Sequence, residues 1–295
     1  MSEQNLEIFN VLNFLNSGYE LEDILSEGNF GTFSSADECI AYLIDEGYLK
    51  GDFLYSGEEI TAESVSKKYK VSDLKDILRK NGLKVSGNKQ ELIERVLPLL
   101  KENDKSSVEL TDKAMEFLKE NEWIDLYMFA LVAFRFQDYE KYHAGSSEGN
   151  IKTALRFCDE IISRALIANQ FLVFIDAISA KAHVYAYDGD YESFLEYDLQ
   201  RFILGLNPIV MDAQTYTTYD IINEANVINL ANVLDKFDFN LKKKFDIIWN
   251  RSNIKNITVP KKACYKILKK AISGADIEEL NFDLRIKYFD KKFGI

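Results

Sequence analysis

Apolar residues recur at spacings of three and four through most of the chain, the pattern of amphipathic helices, with short polar or glycine-bearing breaks between them. Leu6, Phe9, Leu12, Phe14 and Leu15 begin a first helix that Ser17-Gly18 ends, and Leu21, Ile24 and Leu25 make a short second one. Ser34 or Ser35 is placed to cap a third, ADECIAYLIDEG, which Gly47 closes before Tyr48-Leu49. Glu58 to Ser66 reads as a polar connector. Leu74, Ile77 and Leu78 then define the apolar face of a short helix that Ser72 would cap and Gly82 would stop. Leu83 and Val85 alternate inward, Ser86-Gly87 turns the chain, and Leu92, Ile93, Val96 and Leu97 stripe a second short helix. After a second connector, Leu100 to Ser107, Thr111 is placed to cap a helix carrying Ala114, Met115, Phe117 and Leu118. From Ile151 onward the chain is a succession of helices, ending in ITVPKKACYKILKKAISG with Pro260 at a helix start.

These elements predict a mainly α protein in three parts: an acidic helical segment at 1–56, a small helix-loop-helix module at 66–103, and an α-helical repeat-like domain at 108–295. The length of 295 residues is enough for two or three cores, and three prolines with 47% hydrophobic residues agree with a largely helical globular chain. No apolar run is long enough to span a bilayer, and MSEQNLEIFN lacks the basic flank and apolar centre of a signal peptide. Cys39, Cys158 and Cys264 are widely spaced and each lies in a helix-like stretch, which favours reduced, buried thiols over a disulfide framework or metal site and places the chain in the cytoplasm.

Charge changes the picture more than composition does. The net charge of −12 is laid out in blocks. Met1 to Val65 holds fourteen acids and one base, whereas Ser66 to Arg95 holds nine lysines and arginines against four acids, a net of about +5. Lys242 to Ile295 is again basic, by about +8. A basic island in an acidic chain suits phosphate contact, because each neutralised phosphate releases condensed counterion. Lysines that only solubilise two small helices would give the same count. Lys84 and Lys89, which flank the Ser86-Gly87 turn, are the first candidates for backbone contact, and Lys75 and Arg79, one turn apart, form a second row beside Lys80. Arg95 can instead pair with Glu91 at i−4. Lys261, Lys262, Lys266, Lys269 and Lys270 crowd one side of the terminal helix, either as a solvated face, as a second phosphate-contacting face, or as a counterweight to the acidic N-terminal segment.

The run Leu74-x-x-Ile77-Leu78-x-x-x-Gly82-Leu83-x-Val85-Ser86-Gly87-x-Lys89-x-x-Leu92-x-x-Arg95-Val96 resembles a SAP domain, a helix-extended loop-helix module found mainly in DNA-binding and chromatin-associated proteins. The resemblance implies contact with double-stranded DNA through the helix faces and loop, with weak sequence preference and a leaning towards A/T-rich duplexes. On this reading Lys75, Arg79, Lys80, Lys84, Ser86, Gly87 and Lys89 are the DNA-binding set. LIDEGYLK, the SAP-like run and then LTDKAMEFLKENEWIDLY are together similar to a family of poorly characterised bacterial and phage proteins. The stretch from Ala180 to Pro208, with its Gly189-Asp190-Tyr191 turn and closing Asn207-Pro208, resembles one tetratricopeptide-type hairpin. It departs from that pattern at Phe194, which stands where a small residue is usual, and the preceding TALRFCDEIISRALIANQ and FLVFIDAISA fit helical spacing without the motif. Such a hairpin needs neighbours to bury its faces, which implies protein interaction or self-association. ADECIAYLIDEG followed by YLK also resembles the last helix and first wing strand of winged-helix DNA readers, but Asp37, Glu38, Asp45 and Glu46 would be repelled by phosphate, so packing is the better reading there.

Catalysis finds little support. His143 and His183 have no Cys, Asp or Glu at metal-ligand spacing, and no phosphate-binding glycine loop, nucleophile elbow or CxxC is present. The expectation is a non-enzymatic DNA-binding protein that needs no cofactor or metal. The alternative is a protein-interaction scaffold in which the SAP-like unit is only structural.

Overall fold

A computed structural model describes residues 3–290 except 22, 25–30, 53–60, 103–106, 210–219 and 255–256. Fifteen α-helices, two π-helical turns and one pair of strands occur among the described residues, so the fold is mainly α. The chain divides into two compact units, Met1–Glu122 and Trp123–Ile295.

The first unit starts with α1 (Glu3–Asn16), whose Ile8, Phe9, Val11 and Leu12 are buried, and α2 (Ala36–Asp45), whose Cys39, Ile40 and Leu43 are buried. Ser35 caps α2: its hydroxyl accepts from the Glu38 N–H at 3.2 Å while the Glu38 carboxylate accepts from the Ser34 N–H at 2.7 Å. Gly47, at φ +75°, ends α2 in the left-handed conformation, and the chain passes into β1 (Leu49–Asp52). Helices α3 (Ala62–Lys68), α4 (Val71–Lys80) and α5 (Lys89–Glu102) follow, then β2 (Ser107–Leu110) and α6 (Asp112–Glu120). The strands pair antiparallel in the register Leu49↔Leu110 to Asp52↔Ser107. Thr111 caps α6, accepting from the Ala114 N–H at 3.3 Å, and its own N–H donates to the Tyr48 carbonyl at 3.0 Å.

Three expectations change here. The expected connector up to Ser66 ends in a helix, α3, because Val65 is buried against α4 and α5. Residues 107–120 belong with the N-terminal unit instead of opening the C-terminal domain at 108, because β2 is hydrogen-bonded to β1. The second expected connector, from Leu100, is helical as far as Glu102, the end of α5. The short helix at Leu21–Leu25, the start of the first connector with Glu58, and the chain end at 291–295 lie wholly or partly outside the described residues.

Every regular element among the described residues of the second unit is a helix. After α7 (Glu122–Leu126) and a π-helical turn (Tyr127–Leu131) come α8 (Phe136–Ala144), α9 (Asn150–Ala168), α10 (Phe171–Tyr187) and α11 (Tyr191–Gly205). They are followed by α12 (Glu224–Lys236), α13 (Leu241–Arg251), α14 (Lys261–Ile272), α15 (Ile277–Leu284) and a second π-helical turn (Arg285–Phe289). FLVFIDAISA and the small-residue helix after it form the single helix α10, since the apolar spacing continues through Ala180 and Ala182 into Val184. Gly189, at φ +79°, turns the chain, and Asp190 caps α11 by accepting from the Ser193 N–H at 3.0 Å. Phe194 is buried and meets His183 edge-on at 6.2 Å. One core runs from Ala165 through α10 and α11 to Phe245, Leu268 and Phe289.

Both histidines have packing partners. The ring of His143 stacks on Trp123 at 4.9 Å with Nε2 3.0 Å from Asn150 Oδ1, and His183 Nδ1 lies 2.8 Å from the Ser179 carbonyl. All three cysteines are free and buried, and burial raises the Cys39 and Cys158 thiols to about 12. No helix among the described residues is long and apolar enough to cross a membrane.

Candidate nucleic-acid interface

Helices α3, α4 and α5 close over a core of Val65, Leu74, Leu78, Leu92, Ile93 and Val96, all at most 2% exposed. Ile77, Val85 and Leu97 pack around it. The apolar face expected for α4 is therefore present, but the helix starts earlier than Ser72. Its first turn is closed by Asp73, whose carboxylate accepts from the Lys70 N–H at 2.8 Å. That bond, with a second from the Ser72 hydroxyl, holds the Asp73 carboxyl below the usual carboxylate range. At the other end Gly82 adopts φ +67°, the Gly82 N–H donates to the Arg79 carbonyl at 3.1 Å, and the Leu83 N–H donates to the Leu78 carbonyl at 2.8 Å. This pair of bonds is the Schellman arrangement that a left-handed residue permits. It turns Leu83 outwards, 42% exposed, where an inward side chain was expected.

The loop from Leu83 to Asn88 is fixed by α5. Arg95 donates through its guanidinium to the carbonyls of Lys84, of Ser86 at 2.7 Å and of Glu91 at 3.0 Å, and also approaches the Glu91 carboxylate at 3.8 Å. Asn88 caps α5, accepting from the Glu91 N–H at 3.0 Å. Gly87 sits at φ +137°, and a Cβ there would fall 2.3 Å from Glu91 Oε2 and 2.7 Å from Arg95 Nη2. Only glycine fits between the two side chains that hold the loop.

Residues 66–101 match the SAP domain. No curated protein and no solved structure matches the chain. A SAP domain suggests nucleic-acid binding, and the match covers the basic island and stops short of both flanking segments.

The structure sorts the charges of the SAP domain into two groups. Lys80 and Lys84 are exposed and Lys75 is half-buried, and none of the three forms an ion pair among the described residues. Arg79 is paired with Asp76 one turn away, but both side chains are about two-thirds exposed, so the pair is weak and open to exchange. Ser86 and Gly87 are exposed, and no acceptor for their backbone N–H groups occurs among the described residues. Lys80, Lys84 and this loop lie at one end of the domain, at the C-terminus of α4 and just beyond it.

Lys89 belongs to the second group. It is half-buried, and its ammonium donates to the Ser66 carbonyl in the last turn of α3 at 2.7 Å. The last carbonyls of a helix lack intrahelical donors, so Lys89 closes the end of α3 against α5. Arg95 is engaged within the fold in the same way. Sequence reasoning missed Asn88 as the cap of α5, although an Asn three residues before a Glu is the signal for it, and missed Asp73 as the cap of α4.

Proposed function

We propose that this chain is a non-enzymatic DNA-binding protein whose SAP domain docks on the phosphate backbone of duplex DNA with little direct base readout. Lys80 and Lys84 make the principal contacts, Lys75 and Arg79 extend the row along α4, and the N–H groups of Ser86 and Gly87 donate to phosphate oxygens. The observation that carries the reading is the unpaired, exposed pair Lys80 and Lys84 beside a loop with free N–H groups. Phosphate recognition uses just these two kinds of donor. Lys89 contributes by bracing α3 against α5. The helical second unit serves protein interaction or self-association, and the tight hairpin of α10 and α11 supports its kinship with tetratricopeptide-type repeats. A groove of about 940 Å³ lined by α8, α9 and the start of α10, in which Asp138 and Glu160 stand among Arg135, Lys141, Arg156 and Arg164, gives that unit a concave surface for a partner. Three buried free thiols support a cytoplasmic setting.

The inward engagement of Lys89 and Arg95 favours one other reading, a scaffold in which the SAP fold is only structural. Fluorescence anisotropy of the full chain on A/T-rich and G/C-rich duplexes at two salt concentrations separates the two. DNA docking requires that binding weaken steeply with salt, by a slope of about −0.9 per phosphate contact. It also requires that Lys80→Glu/Lys84→Glu bind more weakly than wild type while keeping the wild-type circular dichroism. Absence of binding at low salt, or a double variant that binds as tightly as wild type, would sink the proposal and leave the scaffold.

A further inference from the structure

The basic C-terminal block divides into neutralised and unneutralised parts. Lys242 and Lys261 both reach Asp246, at 2.8 and 2.9 Å. Lys244 bridges Glu192 at 2.5 Å and Glu196 at 3.0 Å, and Arg251 adds a contact to Glu196 at 3.3 Å. These charges tie α13 and α14 to one another and α13 to α11. Lys262, Lys266, Lys269 and Lys270 on α14 are different: all four are exposed and none forms an ion pair among the described residues. At 100° per residue they fall on one side of the helix, opposite the buried Cys264, Leu268 and Ala271.

Folding rewards this arrangement only at Lys269 and Lys270, which lie in the last turn where the helix dipole favours cations. Lys262 and Lys266, and Lys266 and Lys270, are like charges at i,i+4, which destabilise a helix. Lys262 also lies in the first turn, where the helix dipole disfavours a cation and where α14 has no acid. A partner that brings dense negative charge would turn the repulsion into attraction. From Lys262 to Lys270 the helix advances roughly 12 Å, a length over which duplex DNA presents about seven phosphate charges. We propose that the lysine face of α14 is a second phosphate-contacting surface, so that one chain holds duplex nucleic acid with both of its units. This rests on the DNA reading of the SAP domain, which makes nucleic acid the favoured polyanion over an acidic protein. Once either surface is engaged, the other binds at the high effective concentration of a tethered site.

The test uses four full-length proteins in salt-dependent anisotropy titrations on one duplex. They are wild type, Lys80→Glu/Lys84→Glu, a variant with Lys262, Lys266, Lys269 and Lys270 all changed to Gln, and the combination. The glutamine variant is expected to keep a near-wild-type melting temperature, since the relieved i,i+4 repulsion offsets the lost dipole interaction of Lys269 and Lys270. It should bind at least tenfold more weakly at low salt, with the slope of log K against log salt reduced by up to about 3.6, or roughly 0.9 per lysine. The combined variant should not bind. Wild-type affinity and slope in the glutamine variant would overturn the proposal, and would leave the stripe to an acidic protein partner. Loss confined to the glutamine variant would support the α14 surface while sinking the SAP reading, and no binding by wild type would sink both.

Discussion

Gly82 and Gly87 lie five residues apart in the SAP domain, both with positive φ, yet their surroundings differ enough to predict unequal costs for the same substitution. At Gly82 an added Cβ meets nothing within 4 Å, so Gly82→Ala carries only the left-handed backbone penalty, about 1–2 kcal/mol. At Gly87 the backbone is at φ +137°, where a side chain costs on the order of 1–3 kcal/mol. The new Cβ would also displace the Glu91 carboxylate and the Arg95 guanidinium, and it lies 3.2 Å from Glu91 Cβ, which moves less easily than the carboxylate. Losing the partly exposed Glu91–Arg95 pair adds up to about 1 kcal/mol. Gly87→Ala should thus cost about 1–4 kcal/mol in all and exceed Gly82→Ala by about 1 kcal/mol at the middle of the two ranges, roughly a fivefold difference in opening. The domain is a small part of a longer chain, so whole-protein melting is a poor reporter. Native-state hydrogen exchange at the core amides of Leu92, Ile93 and Val96 reads its local opening directly. Faster exchange in Gly87→Ala than in Gly82→Ala is the expected order. Equal rates, or the reverse order, would refute the account of Gly87 as the residue that makes room for the clip on the loop.

Two further outcomes are expected. Replacing residues 53–106 by Asn-Gly should leave the rest of the protein folded, because Asp52 and Ser107 are paired across the strands and a two-residue turn closes such a pair; cooperative unfolding and near-wild-type secondary structure outside the excised helices would be the check, with aggregation as the contrary result. Asp190→Ala should cost about 1 kcal/mol near pH 7 through loss of the α11 cap. The Ser193 hydroxyl and N–H hold the Asp190 carboxyl below its ordinary range, so its contribution is present above the unfolded pKa near 4 and is lost as pH falls through the lower folded value. Denaturant titrations of wild type and variant should converge on acidification below about pH 4, and a gap that widens there would contradict the assignment.

The elements whose signals are local were legible in the sequence. Gly82, Gly47, Thr111, Ser35 and the Gly189-Asp190 turn act on their own helix ends, and the periodicity of Leu74, Leu78, Leu92, Ile93 and Val96 marks a buried face without reference to anything distant. Two local caps, Asn88 and Asp73, were passed over, and the rest of what escaped depends on partners far along the chain. The strand Ser107–Leu110 is too short to show a period and exists through its pairing with Leu49–Asp52. Helix α3 buries Val65 against α4 and α5, and its largely polar sequence reads as a connector until those helices cover it. The orientation of Lys89 follows from the same omission, since its acceptor is the carbonyl of Ser66 at the end of that helix. A lysine count could mark the SAP domain as basic, but the division into outward and braced charges required the contacts.

Because β1 and β2 pair, the SAP domain joins the remainder of its unit by two covalent connections, one leaving Asp52 and one returning at Ser107, both from the same end of the ribbon. A domain on a single tether can swivel about it, and any pull on the domain passes through one strand of chain. Here a pull on the domain is divided between two neighbouring strands. A force applied to the domain would reach α2 and α6 together, loading the ribbon along both strands instead of peeling one from the other.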